Sequence, residues 1–173
     1  MANNFEIILP ATAFIPDSNA QLVAGDAAAV FVSHVGRPSL AFDDTAEEAA
    51  TSVSFEWPVA YTGSGTVKAD VYVYMASDAT NDIAVDVFVE AVTALDTLDL
   101  EATDSFDAAN AGTASVGGTT AGDLVKITIT LMNKDSVAAG DLVRIGVRRD
   151  CDSANDDASG DMYLTSITIR EEA

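Results

Sequence analysis

From Val67 onward the chain alternates with a period of two, and that rhythm limits its possible folds more than any other feature. Val67, Ala69, Val71, Val73 and Met75 alternate with Lys68, Asp70, Tyr72 and Tyr74. Ile83, Val85, Val87, Val89 and Ala91 alternate with Ala84, Asp86, Phe88 and Glu90. Val125, Ile127, Ile129 and Leu131 repeat the pattern, as do Val143, Ile145 and Val147, and then Tyr163, Thr165, Ile167 and Ile169. Successive side chains of a strand point to opposite faces, so rows of this kind are half-buried strands. Leu40 with Phe42, and Val53, Phe55 and Trp57 ahead of Pro58, add shorter pieces, and a weak strand is expected at Ala111 to Val116. No stretch of ten or more residues has a helical period; residues 132–141 hold one helical turn at most.

About eight strands with turn-rich links predict an all-β chain. The expected architecture is an antiparallel two-sheet β-sandwich, jelly-roll-like, with a core ~10 Å thick between facing rows of Val and Ile. Residues 36–173 are assigned to the sandwich and residues 1–35 to an N-terminal arm or edge strands. In that first segment Phe5, Ile7, Ile8, Leu9 and Phe14 are the candidate interface, an apolar stretch able to extend a neighbour's sheet or fill a groove. His34-Val35-Gly36-Arg37-Pro38 reads as a linker or turn. Phe88, Tyr72 and Tyr74 stand where polar residues are expected. Either a second surface is covered, by the arm or by a neighbouring subunit, or these aromatics are simply exposed.

Charge narrows the partners. Eight Lys and Arg stand against 28 Asp and Glu, a net charge of −20 over 173 residues. Phosphate backbones and anionic membrane surfaces are repelled by such a surface, which excludes a nucleic-acid binder. Solubility and adaptation to a salty medium explain the same acidity without any partner. Cys151 is the one cysteine, so no intrachain disulfide exists. No apolar run reaches the roughly 20 residues of a membrane span. The N-terminus has neither a basic region nor a long apolar one, so synthesis in the cytoplasm without an export signal is expected.

No catalytic, cofactor-binding or metal site is assigned. Asp150-Cys151-Asp152-Ser153-Ala154-Asn155-Asp156-Asp157, with Gly160-Asp161, begins like a calcium loop. The EF-hand pattern needs glycine at the sixth place and glutamate at the twelfth, where this chain has Asn155 and Asp161. A solvated acidic loop is the expected reading, and Asp96, Asp99, Glu101 and Asp104 read the same way. One His and one Cys without an oriented partner do not make a nucleophilic site, and His34 reads as a loop residue. Gly117-Gly118 reads as a flexible turn. Arg148-Arg149-Asp150 and Arg170-Glu171-Glu172 close strands and read as exposed ion pairs worth about 0–1 kcal/mol each.

Three stretches carry a resemblance to small virion structural proteins of tailed phages and prophages. They are Leu40 to Ala49 with Phe55-Glu56-Trp57-Pro58, Leu95 to Phe106, and Ala138 to Ile145 running through Arg149-Asp150 and Gly160-Asp161 to Glu171. The resemblance implies a non-enzymatic β-sandwich in the virion. With the arm and the acidity, it gives the expectation of a capsid decoration or cement protein. A homotrimer would bind the major capsid protein on the outer capsid surface, with no contact to nucleic acid or membrane. The alternative is a receptor- or carbohydrate-binding module of a tail fibre or baseplate, with Trp57, Tyr61, Tyr72 and Tyr74 as the aromatics available to a platform.

Overall fold

A computed structural model of the chain describes residues 3–18, 22, 28–77, 80–100, 104–116 and 120–172. Glu101 and Gly117-Gly118 lie outside them. The strands are β1 (Asn3–Pro10), β2 (Phe14–Asp17), β3 (Val30–His34), β4 (Arg37–Phe42), β5 (Glu48–Ser52), β6 (Phe55–Glu56), β7 (Thr66–Met75), β8 (Asp82–Val92), β9 (Asn110–Ser115), β10 (Val125–Thr130), β11 (Leu142–Arg149) and β12 (Met162–Glu172). A single 3-10 turn, Ala11–Ala13, joins β1 to β2.

Two antiparallel six-stranded sheets form a sandwich. Sheet A runs β10-β7-β12-β4-β3, with β1 also on β12; sheet B runs β2-β5-β11-β8-β9, with β6 also on β11. From β4 to β12 the chain passes from one sheet to the other in the order of a jelly roll, four central strands in each. The alternating rows predict the core: Val71, Val73, Val85, Val87, Ile145, Ile167 and Ile169 are fully buried between the sheets. Val53 departs from its row. β5 ends at Ser52, so Val53 falls outside the ladder and is exposed.

The N-terminal segment belongs to both sheets. β1 pairs with Ser166–Glu172 of β12, continuing the lane that β4 occupies along Met162–Leu164. β2 pairs with β5. Phe5, Leu9 and Phe14 are buried in the core, and Ile7 packs against it. Of the five candidate interface residues only Ile8 is exposed. The period-two pattern explains this: Ile7 lies opposite Ile169 and so shares its inward face, while Ile8 lies opposite Thr168.

Three further readings change. Residues 132–141 hold no helical turn; Asp135 and Ser136 take φ values of 51° and 52° there. Glu171 is buried, not an exposed pairing group, and accepts hydrogen bonds from the Thr62 and Gly65 backbone N–H groups at 3.3 and 3.2 Å. The acidic loop after β11 is organised by an arginine. Arg149 donates to both Asp156 carboxylate oxygens at 3.0 and 2.7 Å, to the Gly160 carbonyl at 2.7 Å and to the Ala158 carbonyl at 2.5 Å. The Arg149 and Asp156 side chains are 0% and 2% exposed, so this is not a solvated pair.

Candidate functional site

The outer faces of the two sheets differ, and the difference locates the site. On sheet B the outward residues of β8 and β11 form cross-strand pairs, Arg144 with Glu90, Gly146 with Phe88, and Arg148 with Asp86. Arg144 bonds Glu90 at 2.5 Å and also Asp104, with its guanidinium 5.1 Å from the Phe106 ring centroid. Arg148 bonds Asp86 at 2.8 Å, Glu47 at 3.2 Å and the Leu22 carbonyl at 2.7 Å. Leu22 fits because position 146 is glycine: a Cβ there would stand 2.9 Å from a Leu22 methyl. Asp86, Phe88 and Glu90 are therefore buried although they point away from the core. Burial pushes the Asp86 carboxyl up, and the hydrogen bond from Arg148 only partly offsets this.

That corrects the reading that grouped Phe88 with Tyr72 and Tyr74. Phe88 lies on sheet B, and the two tyrosines lie on sheet A. Phe88 is covered by Leu22, with Phe106 and Ala109 packed beside it, all from this same chain. Tyr72 and Tyr74 are half-buried on the outer face of sheet A, with Lys126 and Thr128 of β10, Lys68 and Asp70 of β7, and Thr165 and Arg170 of β12.

An aromatic cluster with a pocket beside it stands on this face. The His34 ring meets Tyr163 edge-on with centroids 4.5 Å apart, and Tyr74 lies 5.0 Å from Tyr163. Tyr74 Oη is 3.1 Å from His34 Nδ1 and 3.3 Å from the buried Ser39 Oγ, a chain that fixes both rings. Tyr163 is 9% exposed and packs beneath both rings. Its burial, then Asp161 and Tyr74, push its hydroxyl above the usual range, so it is a neutral hydrogen-bonding group. The pocket, about 330 Å³, is lined by His34, Val35, Arg37, Tyr74, Gly122, Leu124 and Thr165.

Local backbone features aim these side chains. The register of β12 shifts between Leu164 and Ser166, a bulge that turns Thr165 toward the pocket while its Oγ1 donates to the Tyr72 carbonyl at 2.9 Å. The segment read as a linker or turn is the turn of a tight hairpin: His34 pairs with Arg37, and Val35 and Gly36 have φ of 53° and 78°. Positive φ at both central positions is the I′ hairpin geometry, which favours Asn-Gly. A β-branched residue there is strained, and Val35 is also 100% exposed. Val35→Asn is therefore expected to stabilise the fold by ~1 kcal/mol, raising the melting temperature by roughly 2–4 °C. The same change removes an apolar wall of the pocket; thermal melts check the stabilisation.

Asp70 anchors the polar part of the face. Burial raises its carboxyl, but hydrogen bonds from Arg170 at 3.0 Å and Thr128 at 2.6 Å outweigh that and hold it below the usual range. It is an ionised, fully engaged group that orders its cations.

The aromatics named for a platform divide. Trp57 is fully buried, among Phe5, Phe55 and Tyr61. Tyr72 and Tyr74 are on the open face. His34, Arg37 and Tyr163 were not legible as partners because hairpin register and strand order, not spacing, bring them together. Among the described residues, no group of three or more His, Cys, Asp or Glu converges to hold a metal ion. Burial pushes the Cys151 thiol up to about 11, which keeps it protonated and unreactive.

No family model matches the chain, and no curated protein matches it. Among solved structures it is similar to the CBM36-1 domain of a multidomain xylanase from the hindgut metagenome of Trinervitermes trinervoides. Identity is 12% over 95% of this chain and 96% of that one, with a TM-score of 0.47. The CBM22-2 xylan-binding domain of Paenibacillus barcinonensis Xyn10C gives 12% identity, 98% and 99% coverage and a TM-score of 0.44. The CBM22-1–GH10 modules of Clostridium thermocellum xylanase 10B give 12% identity and a TM-score of 0.47 over 95% of this chain, which spans 27% of that one. At these identities the likeness is one of fold.

The expectation of a capsid decoration protein is overturned. The solved structures named above contain carbohydrate-binding modules of xylanases, and none of the three is described as a head protein. In addition, Phe5, Leu9 and Phe14, which that reading sends to a capsid neighbour, fill the chain's own core.

Proposed function

We propose that this chain is a non-catalytic carbohydrate-binding module that takes a saccharide on the outer face of sheet A. One observation carries the reading: the hydrogen-bonded His34–Tyr74 pair, packed against the Tyr163 ring, beside a pocket of about 330 Å³. A sugar ring presents an apolar C–H face and a rim of hydroxyls. Aromatic faces take the first, and a few fixed polar groups take the second. Here Tyr74 and His34 supply the rings, Val35 and Leu124 the apolar rim, and Thr165 and Arg37 the polar contacts. The Ser39–Tyr74–His34 chain holds the rings before any ligand arrives, which lowers the ordering cost of binding.

A glycan array followed by titration calorimetry tests this. Tyr74→Ala is expected to weaken binding about tenfold or more, the size of effect seen for a central interface tyrosine. Leu95→Ala, at a fully exposed residue outside the pocket, is expected to change nothing. A folded protein that binds no saccharide, or a Tyr74→Ala variant with unchanged affinity, contradicts the proposal.

A further inference from the structure

In a chain this acidic, almost every cation has a carboxylate. Lys68 pairs with Glu172, Lys126 with Asp70, Arg144 with Glu90 and Asp104, Arg148 with Asp86 and Glu47, Arg149 with Asp156, and Arg170 with Asp70 and Glu172. Among the described residues, two of the eight Lys and Arg form no ion pair. One is Lys134, in the turn between β10 and β11; the other is Arg37, exposed on the wall of the His34–Tyr74 pocket. Acids outnumber cations 28 to 8. Among the described residues, no carboxylate stands within ion-pair distance of this guanidinium at the pocket wall. Asp123, beside the pocket residues Gly122 and Leu124, turns its carboxylate onto the Thr120 N–H at 2.8 Å.

The surrounding face agrees. Lys68, Lys126 and Arg170 share the outer side of sheet A with Arg37, against Glu6, Asp70 and Glu172. This is a locally charge-balanced window on a protein of net charge −20. Three of these cations are engaged by those acids, which leaves Arg37 as the group able to take a new anion.

Building on the saccharide-binding reading, we propose that the ligand is an acidic saccharide, one bearing a carboxylate as uronic and sialic acids do, and that Arg37 reads the carboxylate. A guanidinium offers paired N–H donors matched to a carboxylate, and the charge-assisted bonds are stronger than those to a neutral hydroxyl. Discrimination follows from the same geometry. A neutral sugar covering Arg37 removes water from a charge and returns no opposite charge, so it is selected against. The rings of His34 and Tyr74 bind the sugar body, and Arg37 chooses which sugar.

The test is calorimetry on matched pairs that differ in the carboxylate: lactose against sialyllactose, and galactan against galacturonan oligomers, at low and high salt. The wild-type protein is expected to bind one acidic member at least about tenfold more tightly than its neutral counterpart. That preference is expected to shrink at high salt. Arg37→Gln, a surface change that leaves the hairpin backbone intact, is expected to abolish the preference, and Arg37→Lys to restore part of it. Equal binding of neutral and acidic members, unaltered by Arg37→Gln, overturns the carboxylate inference and leaves the module reading standing. An acidic preference that survives Arg37→Gln overturns the assignment to Arg37. No binding to either member of any pair, by protein with an intact β-sheet spectrum, overturns both.

Discussion

Arg149→Ala is expected to lower stability by about 3–5 kcal/mol, the usual result of removing one partner from a buried ion pair. For a domain of this size that is a fall of roughly 6–20 °C in melting temperature. Arg149 is the last inward residue of β11, following Val143, Ile145 and Val147, where another aliphatic side chain would be expected. It instead reaches the loop beyond its own strand and satisfies Asp156, Ala158 and Gly160 at once. Truncation leaves a buried carboxylate unpaired and two carbonyls without their donor. Asp156 in turn accepts from the Ala84 N–H at 3.0 Å, so the damage reaches β8. The double variant Arg149→Met with Asp156→Leu removes both charges and is expected to recover part of the loss, but not all, because the carbonyls remain. Urea denaturation of the three proteins checks this; an unchanged midpoint for Arg149→Ala contradicts it.

Trp57→Ala is expected to cost about 3–5 kcal/mol as well, through the cavity it leaves. The indole is fully buried, meeting Phe5 edge-on at 5.3 Å and Tyr61 at 5.7 Å, and stacking near Phe55 at 6.3 Å between centroids. Its backbone is tied to the turn before β11, with Trp57 N–H to the Asp141 carbonyl at 2.7 Å and Gly140 N–H to the Trp57 carbonyl at 3.0 Å. Phe5 is the anchor of β1, so the cavity also loosens the N-terminal strand, and hydrogen exchange is expected to rise across residues 5–9 more than across β8. Trp57→Phe is expected to cost much less. The indole N–H finds no acceptor among the described residues, and phenylalanine removes that buried donor while keeping most of the ring packing. Equal losses for Ala and Phe would contradict this account.

The sandwich was legible because its signal is local. A period of two over Val67 to Met75 or Ile83 to Ala91 states which side of each strand is apolar, and the buried rows follow it. What lies over the outer faces is not local. Asp86 and Glu90 alternate as a solvent face would, with only Phe88 out of character, yet Leu22 and the Asp104–Phe106 segment cover all three from elsewhere in the chain. Phe5, Leu9 and Phe14 look like a sticky arm because an isolated apolar stretch carries no mark of which sheet it will join.

The pocket was the least legible part, for a similar reason. Tyr72 and Tyr74 could be placed on an outer face from their alternation. Their partners come from elsewhere: His34 and Arg37 from a hairpin whose Val35-Gly36 turn lacks the usual Asn-Gly signal, Tyr163 and Thr165 from the last strand at a bulge. Arg37 gains meaning only when the other cations of its own face are seen to be paired. The acidic loop reads as solvated, but its Asp156 carboxylate is buried against Arg149, from the strand just before it.

The claim that the outer face of sheet A is the binding surface is tested most directly by a crystal structure of the protein soaked with its tightest-binding saccharide. The account predicts a sugar ring lying against Tyr74 and His34, with a carboxylate within hydrogen-bond distance of Arg37. A saccharide seated instead over Phe88 and Arg144 on sheet B, with Leu22 and Phe106 displaced, would contradict it.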